Sequence, residues 1–157
     1  MILKGAEIGR YLARPDPTRP ALLIYGQDAM RVALKRAEAV KALVGPGAEE
    51  EMRLTRLPGS DLRKDPAQLL DAVKAVGFFP GQRVVLVDDA PDTAAPAVAA
   101  ALEDWRTGDA VVVVASEIGN HDNIGGLFRN AAAFGAGAVL LDDRCADPFY
   151  RKAIRVS

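Results

Sequence analysis

Apolar residues along this chain fall into short dense runs, separated by stretches where they recur every three or four positions. The run ALLIYG at 21–26 is uninterrupted, as are RVVLVDD at 83–89, AVVVVAS at 110–116 and AVLLD at about 137–142. Continuous branched-aliphatic runs of this length predict strands covered on both faces. EMRLTRL at 51–57 alternates, which predicts a further strand. Between the first two strands the pattern changes to a helical period over Asp28 to Val44, putting Met30, Ala33, Leu34, Ala37 and Val44 on one face and Arg31, Lys35 and Glu38 opposite. Gly45, Pro46 and Gly47 stop that helix. In PGSDLRKDP, Asp65 and Pro66 suit the cap and first position of a helix carrying Leu69, Leu70, Val73 and Val76. An alanine-rich helical stretch runs to Trp105. The proline-rich RPDPTRP at 14–20 cannot be helical and leads into the first strand.

Strands alternating with helices predict right-handed βαβ units, hence an α/β fold with a three-layer, open, mostly parallel sheet. The length of 157 residues suits one compact domain. Lys and Arg total 20 against 21 Asp and Glu, so no basic field of the kind that drives nonspecific nucleic-acid binding surrounds the chain. A lone cysteine, Cys145, and the lack of a leader pattern predict a cytoplasmic location. No apolar run approaches the roughly 20 residues of a spanning helix, so no membrane partner is expected.

The strand-glycine-helix opening ALLIYGQDAMRVALKR stands where a GxxxxGK[ST] phosphate loop would stand. Counted from Gly26, the second glycine is replaced by Arg31, the lysine by Val32 and the magnesium-holding hydroxyl by Ala33. Without these groups neither a close backbone wrap nor a fixed cation meets a nucleotide phosphate. The expected architecture is therefore P-loop nucleotidase-like (AAA+/RecA-like) without a functional phosphate loop, holding no cofactor or metal. Asp88 and Asp89 read as a solvated strand end, and ATP hydrolysis is not expected.

Three blocks carry a resemblance: YLARPDPTRPALLIYGQDAMRVALKRAEAVKALVG, EEEMRLTRLPGSDLRKDPAQLLDAVKAVGFFPGQRVVLVDDA and ALEDWRTGDAVVVVAS. Residues 1–116 resemble the N-terminal domain of the bacterial DNA polymerase III clamp-loader delta subunit. The resemblance implies a DNA replication role: binding the sliding clamp alongside other clamp-loader subunits, without ATP hydrolysis. Phe78 and Phe79 in AVGFFPGQ fall at that family's clamp-binding wedge. Two adjacent aromatics before a Pro-Gly turn cannot both enter one core, so at least one is available as an anchor.

From about Glu117 the chain resembles a different family. NIGGLFRNAAAFG matches the first motif of SpoU-type RNA 2'-O-ribose methyltransferases at Asn123, Gly125, Arg129 and Gly135. The resemblance implies RNA as substrate, with the arginine near the ribose 2'-hydroxyl and a phosphate, a task that suits a guanidinium fork. It also implies S-adenosylmethionine as cofactor in the parent family. The two later motifs that build the knotted donor pocket do not occur in these 157 residues, so no activity is expected of the chain alone. The expected division is 1–116 and 117–157. The second segment supplies a helix at about 123–134 and a strand at about 137–142, and this strand is expected to complete the sheet in parallel beside an existing strand. His121, next to Asp122, reads as a turn residue.

Overall fold

The computed structural model describes residues 1–117 and 138–141. The expected α/β fold with a parallel sheet is present. The elements run β1 (Ile2–Lys4), α1 (Ala6–Ala13), β2 (Ala21–Gly26), α2 (Ala29–Val44), β3 (Leu54–Pro58), α3 (Ala67–Lys74), β4 (Val84–Asp88), α4 (Ala95–Glu103), β5 (Val111–Glu117) and β6 (Ala138–Leu141), with 3-10 turns at Asp61–Arg63 and Asp92–Ala94. The strand order is β1-β6-β2-β5-β4-β3, and every neighbouring pair is parallel.

Two cores pack on opposite faces of the sheet. Along β2, Leu22 and Ile24 point to the face covered by Ile8 and Leu12 of α1 and by Val32, Ala39, Val40 and Val44 of α2. Leu23 and Tyr25 point to the face covered by Leu69 and Val73 of α3 and by Ala97, Ala101 and Leu102 of α4. Strict alternation of buried residues on both faces is why the strands read as unbroken apolar runs. All six residues of β2 are buried, which suits its place between β5 and β6.

The sequence reading of α2 needs correction. Met30 and Leu34 are 80% and 56% exposed, and Ala37 is exposed too, whereas the buried stripe is Val32, Ala39, Val40 and Val44. Arg36 lies within that stripe, and its guanidinium reaches across the sheet end to pair with Asp88. A cation set among the apolar positions disguised the true face. The helix begins at Asp28, whose carboxylate accepts from the Met30 and Arg31 amides at 3.1 and 3.2 Å. It ends at Gly45, which has φ +70° and donates its N–H to the Lys41 carbonyl.

Other boundaries also shift. Strand β3 starts at Leu54, because residues 47–52 form turns that place Met52 at positive φ. Asp65 accepts from the Ala67 amide at the start of α3, as its cap role requires. Val76 is no helix residue: α3 ends at Lys74 and Val76 is 91% exposed. Strand β1 and helix α1 were not foreseen, since three residues carry too little pattern to predict a strand. The strand foreseen near 137–142 is β6, parallel to both β2 and β1.

Candidate functional site

In open parallel sheets, ligands meet the carboxyl ends of strands where the chain direction of winding reverses. That point here is β2: the chain leaves it through α2 toward the β3 edge, whereas β5 is followed in sequence by β6 on the other side. In register, Gly26 stands opposite Glu117, and Tyr25 stands opposite both Ser116 and Leu141. The carboxyl end of β5 at Glu117 therefore lies beside the β2–α2 turn.

The groups at this end are engaged with one another. Asp28 occupies the first free amides of α2, the donors that a bound phosphate would need. The Ser116 hydroxyl, nearly buried, donates to the Ala90 carbonyl at 2.8 Å, and the Ala90 amide donates to the Ala115 carbonyl at 3.0 Å. The Gly59 amide donates to the Asp88 carbonyl at 2.7 Å. A Cβ on Gly59 would lie 2.5 Å from the Ala90 Cα, so β3 and the turn after β4 meet through bare backbone. Asp88 is half-buried and paired with Arg36, so it ties α2 to β4 and is not the merely solvated strand end expected of it. Asp89 is exposed, with φ +49°. Among the described residues no group of three or more His, Cys, Asp or Glu could hold a metal ion.

Phe78 and Phe79 lie far from this constellation, in the α3–β4 loop beyond the opposite end of β4. They are 89% and 46% exposed. Arg83 fixes the loop by donating to the Ala75 carbonyl and, at 3.1 Å, to that of Gly108. Arg53 donates to the Gln82 carbonyl at 3.2 Å. Near the same end, Lys74 bridges Asp109 at 2.8 Å and Asp104 at 3.3 Å. Burial works to raise the Asp109 carboxyl, but the Lys74 ammonium and the Arg106 amide donate to it and hold it below the usual range. The bond to Asp109 lifts the Lys74 ammonium above its ordinary value, against the opposing effect of burial. Sequence reading missed this clasp because its members are 30 and 35 residues apart.

Asn123, Gly125, Arg129, Gly135 and His121 lie outside the described residues. Residues 110–157 match the SpoU rRNA Methylase family. The match begins at Ala110 and so takes in β5, a strand that the clamp-loader resemblance also used. Three proteins described as uncharacterised tRNA/rRNA methyltransferases, one from Mycobacterium bovis and two from strains of Mycobacterium tuberculosis, are each 44% identical over 62 residues. That stretch is 40% of this chain and 20% of each relative, so the chain spans about one fifth of the length of the curated relatives it matches.

Residues 110–157 are thus similar to the SpoU methylase family. The finding overturns the clamp-loader reading: the similarity lies with RNA methyltransferases, not with DNA replication, and it points to RNA in place of the sliding clamp and loader subunits. Phe78 and Phe79 keep their exposure but lose the clamp as their partner. No helix among the described residues is long and apolar enough to cross a membrane.

The family implies S-adenosylmethionine. The described residues do not fit that group: at the carboxyl end of β5, the backbone donors just described are taken by Asp28, Asp88 and Ala115. The Ser116 hydroxyl is spent on Ala90. Among the described residues, these donors are therefore not open to an adenine or a carboxylate.

Proposed function

We propose that this chain is part of an RNA 2'-O-ribose methyltransferase of the SpoU type, and that its share of the task is to hold the RNA ribose. The observation that carries the reading is the family match over 110–157, a span that includes Asn123, Gly125, Arg129 and Gly135. Arg129 is the residue assigned to the ribose and its neighbouring phosphate, because a planar guanidinium offers paired donors to phosphate oxygens where a lysine offers a point charge. Gly125 and Gly135 carry no Cβ, the residue type that suits close backbone approach to a ligand. Asn123 supplies an amide that both donates and accepts.

The parallel sheet supports this role by giving the motif a rigid origin. β5 is held between β2 and β4, and Ser116 locks its end to the turn after β4. The finer class of the scaffold, an open nucleotidase-like sheet without a phosphate loop, rests on the reversal of winding at β2 and on Asp28 filling the α2 amides. With a net charge of −1, RNA binding cannot draw on a general cationic field and must depend on a few placed cations.

Ultraviolet crosslinking of the chain to ribosomal RNA fragments, followed by peptide mapping, tests the assignment. Crosslinks are expected within residues 123–135. Crosslinks confined to residues 1–109, or none above those of an unrelated acidic protein, would remove it.

A further inference from the structure

We draw no further inference here: the strongest candidate, the open cleft of about 460 Å³ between α2 and β3 lined by Val40, Leu54 and Leu86 with Lys41 and Glu50, carries nothing because nothing in the structure shows what covers it.

Discussion

Asp28 does two things with one carboxylate: it starts α2 and it closes the helix end to anions. Replacing it with alanine frees the Met30 and Arg31 amides and removes a cap, a change that costs about 1 kcal/mol. Asp28→Asn should retain most of the stability, and urea midpoints of the two variants check the difference. Gly59 is constrained more severely. With the Ala90 Cα 2.5 Å from where a Cβ would sit, Gly59→Ala must push β3 away from the β4 turn, at a cost of about 1–3 kcal/mol. Thermal unfolding of this variant should show a clear drop, whereas Gly9→Ala, whose Cβ would meet nothing within 4 Å, should not.

The Lys74–Asp109 clasp gives a pH signature. The Asp109 carboxyl is depressed in the folded state, so its contribution is complete above the unfolded value of about 3.9 and fades as pH falls through the folded value. Lys74 is raised, so its part is present below about 10.4 and fades as pH rises through its folded value. Asp109→Asn should therefore lower stability at neutral pH and flatten the loss that sets in as pH falls below the unfolded carboxylate value of about 3.9, as followed by denaturation at a series of pH values. An unaltered acid-side slope would show that the clasp does not report on folding.

Among the elements, those bearing a continuous apolar run were readable from the chain: β2, β4 and β5 lie within a residue or so of the runs that foretold them. Double-sided burial writes itself plainly into sequence. A helix covers only one face, so its reading depends on assigning every position to the correct stripe, and α2 shows how one paired cation upsets this. Arg36 sits among Val32, Ala39 and Val40 because its charge leaves the stripe at the far end to meet Asp88. Two substitutions separate the two assignments. Leu34→Gln, on the exposed side, should alter stability by less than about 0.5 kcal/mol, and Val40→Ala should cost about 1 kcal/mol or more. The exposed Phe78 and Phe79 were foreseen in part, since a Pro-Gly turn after paired aromatics prevents both from entering the core.

Across the whole molecule, scaffold and chemistry were legible to different degrees. Alternating strands and helices specify a parallel α/β sheet, which many activities share, so that pattern described the architecture, and the partner drawn from the clamp-loader resemblance was wrong. The spacing of Asn123, Gly125, Arg129 and Gly135 is the opposite kind of signal: it resembles the motif of an RNA methyltransferase family and says little about the sheet that carries it. The two are joined in one sheet, because β5 and β6, both inside the family-matched span, flank β2 from the front of the chain, and β1 pairs with β6. Truncation after Glu117 would strip the partner from one side of β2, whose six buried residues would then form an apolar edge. Such an edge recruits other chains, so the truncated protein should aggregate at concentrations where the intact one stays dispersed, as light scattering would reveal.

RNA affinity, measured by fluorescence anisotropy on a ribosomal RNA fragment with the intact chain and with Arg129→Ala at fixed salt, tests the central claim most directly. Loss of one charge-assisted ribose and phosphate contact should weaken binding on the order of tenfold, with Arg129→Lys recovering part of it. Equal affinity of the intact chain and the alanine variant, or no RNA binding by either, would contradict the account.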